Sequence, residues 1–195
     1  YATLPTNQET ALNFHFNADF LPESDRKGIH LEDGYQAKWN RAALSACGAA
    51  LADGLPRLRE ELAPDQLWRV IGSTQLAPTK TSEVGFQEAL EPIAELTAQA
   101  VKQLEIVPLT TGGWSRPHNA WLLENHDREL VALLEELGVQ VAVPAVLDAL
   151  DGVEPKHLGL RFLDLQELSR GLVNVGLDER TEEESLPKAL RDKAR

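Results

Sequence analysis

The sequence predicts an α+β fold, in which a small antiparallel sheet packs on a long Ala-rich helix and a mainly helical region with short strands follows. Two patterns indicate this class. Apolar and polar residues alternate strictly over residues 12–20, which is typical of a strand with one buried face. From Tyr35 onward the apolar residues are spaced three or four apart, which is typical of one face of a helix.

The first predicted subdomain is an α+β unit that covers residues 1–75. Residues 1–4 are expected to pair with the strand over residues 12–20 in an antiparallel hairpin. A polar loop follows this strand, and residues 29–31 are expected to form another short strand.

The long helix is rich in alanine, which allows a neighbouring element to approach closely. Pro56 interrupts its pattern, so we expect a kink or a restart near Asp53 and Gly54. A short second helix is predicted to begin at Pro64 and to run through Ile71.

A second predicted α+β subdomain covers residues 76–177. Its polar first residues, 76–83, are rich in Thr and Ser, and we take them as the internal boundary. Helical spacing returns from Phe86 to Leu104, and Pro92 predicts either two short helices or one kinked helix.

Short elements complete this subdomain. Residues 106–123 predict a strand, a turn rich in Thr and Gly, and a strand. Asp127 is predicted to cap a helix that ends at Gly138. The remaining expectations are a short strand over residues 139–143, a helix that opens at the capping box Asp164 and Glu167, and a charged tail over residues 178–195.

Composition excludes several classes of protein. With 43% apolar residues in 195, the chain has enough material for a core and is not predicted to be disordered. Its net charge of −12 and scattered basic residues argue against a nucleic-acid partner. No apolar run is long enough to cross a bilayer, and the single cysteine excludes an internal disulfide and favours the cytoplasm.

The motifs of the commonest complete active sites are absent from the sequence. It contains no phosphate-binding Gly-x-x-x-x-Gly-Lys loop, no dinucleotide fingerprint, no nucleophile elbow and no His-Glu-x-x-His pair. The chain also lacks methionine, from which we expect it to be a fragment of a longer protein. We therefore predict that the fragment is not an enzyme.

We interpret the histidines, the cysteine and the paired acids as structural or solvent-exposed residues and not as parts of a site. The five histidines are dispersed, and even if the strands bring His15 and His30 together, two histidines without a placed carboxylate make a poor metal site. Cys47 lies on the apolar helix face, where thiolate formation is disfavoured. Paired acids are expected to be solvated helix faces.

Two short segments are more informative. The polar loop that follows residues 12–20 holds Arg26 and Lys27 beside Gly28, and such cations can reach a phosphate on another domain or ligand. The alternative is a surface ion pair between Arg26 and a neighbouring acid, for which the candidates are Asp25, Glu23 and Asp19. Trp39 and Asn40 also stand out, and we expect Trp39 to be buried against the preceding sheet.

A family resemblance rests on residues 2–6, 14–20, 24–27 and 39–44. These resemble the segment that follows the nucleotide-binding domain in sacsin-like, heat-shock-chaperone-type ATPases of the GHKL superfamily. The similarity is most specific over residues 1–44 and extends more loosely to residue 123, where it includes Leu67-Trp68, Gly113-Trp114 and the strand over residues 120–123.

The resemblance implies an upstream ATPase domain whose Asn-containing helix and Asp-x-Gly-x-Gly loop hold ATP and Mg. Neither motif occurs in this chain, so the fragment itself is expected to hold no cofactor. The resemblance further implies that Arg26, with Lys27 second, contacts the γ-phosphate. The implied partners are the upstream domain and a client or partner protein; from the charge and the lack of a long apolar run we expect no nucleic acid and no membrane.

These patterns lead to a functional hypothesis with two alternatives. The chain is predicted to be the non-catalytic, chaperone-like middle region of such an ATPase, coupling nucleotide state to client or partner binding. One alternative is an acidic protein-interaction scaffold with no link to ATP. The other is the transducer region of a DNA-repair ATPase.

Overall fold

The computed structural model describes residues 10–25, 27–80, 84–124 and 126–163. Three long helices come first: α1 (Tyr35–Glu61), α2 (Pro64–Lys80) and α3 (Val84–Gln103). Five short strands and two short helices follow: β1 (Val107–Pro108), β2 (Trp114–Ser115), β3 (Ala120–Leu123), α4 (Arg128–Glu136), β4 (Gln140–Val141), α5 (Pro144–Ala149) and β5 (Arg161–Leu163). Single 3-10 turns lie at Pro117–Asn119 and Pro155–Leu158. The predicted α+β class, with its long helix, antiparallel pairing and later short strands, is confirmed.

The predicted strand over residues 12–20 is not formed. Burial does alternate along this segment, but its backbone bends and joins no strand ladder. Leu12, Phe16 and Phe20 instead pack against the core between α1 and α3. The alternation therefore indicates that one side of an irregular segment is buried, because apolar side chains can be buried against helices as well as within a sheet. Its predicted partner, residues 1–4, lies outside the described residues.

Proline does not divide the long helices. Pro56 lies inside α1 and Pro92 inside α3, and each helix is continuous. This excludes a restart near residues 53–54 and two separate helices around Pro92, while the alternative of a kink stays a prediction at both prolines. A proline removes one backbone hydrogen bond, but packing on both sides of it holds the helix together. Leu55, next to Pro56, is fully buried.

The second helix is longer than predicted. It continues to Lys80 and so includes residues 76–80, which were expected to be part of a linker. Trp68 of α2 is fully buried, and its indole Nε1 donates to the carbonyl of Ile106 at 3.1 Å. α3 contacts both α1 and α2. The division into subdomains at residue 75 stays a prediction.

The helices α1 and α3 lie in close contact near their middles. A Cβ on Gly48 of α1 would lie 3.0 Å from the Cα of Ile93 on α3. A glycine at this position therefore lets the two backbones approach closely. Leu44, Leu90 and Ile93 form the adjacent core.

The strands form a hairpin and a parallel sheet. β1 and β2 are antiparallel, and Gly112 and Gly113 in their turn have φ values of 87° and 81°, as the Gly-rich turn predicted. β3 lies between β4 and β5 and is parallel to both. The sequence pattern did not predict parallel pairing, which requires a crossover segment such as α4 between β3 and β4.

The helix predicted after Asp127 is confirmed. The carboxylate of Asp127 accepts from the backbone N–H groups of Glu129 and Leu130, which is a helix N-cap. Gly138, just after the helix, has a φ of 77°. The helix predicted from Asp164 and the tail over residues 178–195 lie outside the described residues. Among the helices that the structure describes, none is long and apolar enough to cross a membrane.

Candidate functional site

The polar loop singled out by the sequence projects from the start of α1. We call residues 22–29 the cation loop. Its two sides are joined by an antiparallel bridge between Pro22 and Ile29. Glu23 N–H donates to the Gly28 carbonyl at 3.0 Å, and His30 N–H donates to the Leu21 carbonyl at 3.3 Å. The short strand predicted over residues 29–31 is thus reduced to one bridge.

The buried side chain of Asn40 holds both ends of the cation loop. Its Nδ2 donates to the carbonyl of Leu21 at 2.8 Å and to that of His30 at 2.9 Å. Its Oδ1 accepts from the N–H of Leu21 at 2.8 Å. Because Asn40 is fully buried in the first turns of α1, one amide group ties the base of the loop to the long helix.

The neighbours of Asn40 extend this attachment. Trp39 Nε1 donates to the carbonyl of Asp19 at 2.7 Å, and Arg41 Nη2 donates to the carbonyl of Leu31 at 2.9 Å. The expected burial of Trp39 against a sheet is wrong, since no sheet is formed there and 48% of its surface stays exposed. Three consecutive side chains therefore bind backbone carbonyls on both sides of the cation loop.

The tip of the cation loop is exposed and charged. The Lys27 ammonium lies 3.7 Å from the Asp25 carboxylate, and 75% of the lysine side chain is exposed. The Lys27 backbone N–H also donates to Asp25 Oδ1 at 3.0 Å. An exposed ion pair of this kind contributes about 0–1 kcal/mol, so little free energy holds the ammonium there. Arg26 lies outside the described residues.

Within the described residues, the structure gives His15, His30 and Cys47 no arrangement typical of a metal ligand or an activated nucleophile. His15 is exposed and His30 half-buried, and the strand pairing that was expected to bring them together is not formed. In the described ranges, no group of three or more His, Cys, Asp or Glu side chains is placed to hold a metal ion. Burial raises the pKa of the half-buried Cys47 thiol, which disfavours the reactive thiolate.

Sequence reasoning missed the role of Asn40, although it singled out the residue. The available signal was an asparagine inside an Ala-rich helix, where it is a poorer helix former than its neighbours.

Comparisons of the chain with protein-family models, with curated proteins and with solved structures find no match.

Proposed function

We propose that this chain is the non-catalytic middle region of a sacsin-type, chaperone-like ATPase, in which it couples nucleotide state to the binding of a client or partner protein. The observation that supports the proposal most is the attachment of the cation loop to α1 by Asn40. The bonds of Asn40 to Leu21 and His30, which flank residues 24–27, tie that segment to residues 39–44, and these are two of the four segments on which the family resemblance rests.

The arrangement suits a cation that acts on another domain. Lys27, which follows Arg26 in the sequence, lies in a loop whose base is held by hydrogen bonds, and these limit the positions that the Lys27 ammonium can reach. A cation that meets a transferring phosphoryl group neutralises its developing charge and can link domain closure to the presence of the γ-phosphate. The weak pairing of Lys27 with Asp25 would cost little to exchange for a phosphate.

A surface contact from the loop side to α3 is also present. Arg41 contacts the loop side through the Leu31 carbonyl, and its Nη1 lies 3.9 Å from the Glu88 carboxylate on α3. A change in the loop position would therefore act on α1 directly and on α3 through Arg41. In this proposal the helices pass the nucleotide state to the client or partner.

The remaining parts of the proposal concern the longer protein. ATP and Mg bind to a domain encoded upstream of Tyr1, this chain hydrolyses nothing by itself, and the protein works in the cytoplasm. Reading the upstream sequence is the simplest test. If it lacks the Asn-containing helix and the Asp-x-Gly-x-Gly loop, the acidic interaction scaffold becomes the better hypothesis.

The decisive experiment uses the longer protein that contains the upstream domain. We expect Arg26→Ala to lower ATP hydrolysis by at least about tenfold, with a smaller loss for Lys27→Ala, because each removes positive charge from the phosphoryl group. Nucleotide-dependent closure, measured by energy transfer between dyes on the two domains, should weaken in parallel.

Lys156→Ala is the matched control, since it removes an exposed cation from a 3-10 turn and should change neither readout. Full hydrolysis and normal closure in both loop variants would contradict the phosphate-contacting role.

A further inference from the structure

The outer face of α1 is apolar although it is exposed. We define this face by six exposed residues that share one side of the helix: Tyr35, Trp39, Ala42, Ala46, Ala49 and Ala50. Tyr35 is 67% exposed and Trp39 48%. No charged residue occurs between Arg41 and Asp53, in a chain whose net charge is −12. An exposed helix face normally carries charged and polar side chains, so this face is unusual for a solvent-facing surface.

Another exposed helix of the chain shows the ordinary pattern. On α4 the exposed residues include Arg128, Glu129 and Glu136, which keep that face solvated around the exposed Leu133. The outer face of α1 has charged residues only toward its ends. Lys38 is exposed near the aromatic end, and Asp53 and Arg57 are exposed beyond the alanines.

We propose that the outer face of α1 binds the same face of a second copy of the chain, as an antiparallel helix pair centred on Ala46. An antiparallel pair centred there is symmetric, so each contact occurs twice. It places Lys38 beside Asp53 of the second copy and Tyr35 level with Arg57 of the second copy. Opposite charges therefore meet at both ends, and the Arg57 guanidinium, whose Nε also bonds Glu61 of its own helix at 2.7 Å, meets an aromatic ring.

The charges also determine the direction of the pair. A parallel pair would place Asp53 against Asp53 and Lys38 against Lys38, which costs free energy through like-charge repulsion. Alanine at the centre allows the two helix axes to approach to about 8 Å, the lower end of the usual range. The pairing is independent of the proposed function, because it uses neither the cation loop nor a nucleotide.

The predicted pair is weak. One helix face from each copy buries less than the roughly 1,600 Å² of a standard interface, so we expect a dissociation constant of about micromolar order. Sedimentation equilibrium of the full chain from about 1 to about 200 μM covers this range. A single monomeric species at every concentration would overturn the proposal, even if the face captured an unrelated protein.

The first variant places a charge at the centre of the pair. Ala46→Glu brings two carboxylates together at the symmetry axis, and we expect the dissociation constant to rise at least about tenfold. Ala132→Glu is the matched control, since it makes the same change at an exposed alanine of α4 and should leave self-association unchanged. Equal effects of the two variants, or none from Ala46→Glu, would overturn the proposal.

A charge exchange tests the antiparallel direction and also reports on folding. Lys38→Asp and Asp53→Lys should each weaken self-association, because each gives two like-charge contacts in its own pair. Mixing the two single variants should restore association, since both end contacts of the mixed pair then join opposite charges. Restoration shows that both variants are folded, and failure of the mixture to associate better than either variant alone overturns the antiparallel pair.

Discussion

Replacing Asn40 by alanine should loosen the base of the cation loop. The change removes three hydrogen bonds of 2.8 to 2.9 Å, which join Asn40 to the N–H of Leu21 and to the carbonyls of Leu21 and His30. Each such bond contributes about 1 kcal/mol net, so Asn40→Ala should lower the free energy of unfolding by about 3 kcal/mol. For a chain of this length, that corresponds to a fall in Tm of about 6–12 °C.

Two measurements test this estimate. Urea unfolding followed by tryptophan fluorescence gives the free energy of unfolding. Hydrogen exchange reports the loop itself, and the Leu21 amide should exchange at least about tenfold faster once its acceptor is gone.

Asn13→Ala is the control for the Asn40 prediction. The Asn13 side chain donates one exposed bond of 3.3 Å to the Arg69 carbonyl, so its loss should cost less than about 0.5 kcal/mol. Equal stability of the Asn40 and Asn13 variants, together with unchanged Leu21 exchange, would refute the reasoning.

Two further outcomes follow from local packing. Gly72→Ala should lower the free energy of unfolding by about 1–3 kcal/mol in urea titrations, because its Cβ would lie 2.6 Å from the Ala149 carbonyl oxygen. Gly54→Ala, with open space around its Cβ, should raise the free energy of unfolding by about 0.5–1 kcal/mol. Burial raises the pKa of Cys47, so the neutral thiol is favoured in the folded chain. The resulting contribution to the free energy of unfolding is present below the pKa of the unfolded thiol and is lost as pH rises through the folded pKa. Because the thiolate is the reactive form, a thiol reagent at neutral pH should modify the folded chain at least about tenfold more slowly than the urea-unfolded chain.

Local patterns predicted those elements whose causes are themselves local. The cap at Asp127, the stop at Gly138 and the turn at Gly112 and Gly113 each depend on a few neighbouring residues, and each is present. The helical spacing from Tyr35 likewise predicted α1. Of the kink or restart predicted at Pro56, the restart does not occur, because a local pattern does not show the packing of Leu55 and its neighbours.

The candidate site shows the same division. The sequence identified the cations of the loop and the Trp39-Asn40 pair as separate features. The Asn40 side chain binds both Leu21, which lies 19 positions away along the chain, and His30, which lies 10 positions away. The spacing of residues along the chain does not predict such long-range contacts.

The sequence by itself determined the α+β class, the helix beginning at Tyr35 and the location of charge along the chain, since these follow from composition and from the periods of strand and helix. Only the tertiary structure decided that residues 12–20 pack as an irregular segment on helices, that β3 pairs in parallel with β4 and β5, and that Trp39 stays half-exposed. An alternating pattern specifies which side chains are buried, but the surface that buries them comes from elsewhere in the chain. Here the burying surface is helical, and within the described residues the outer face of α1 stays exposed.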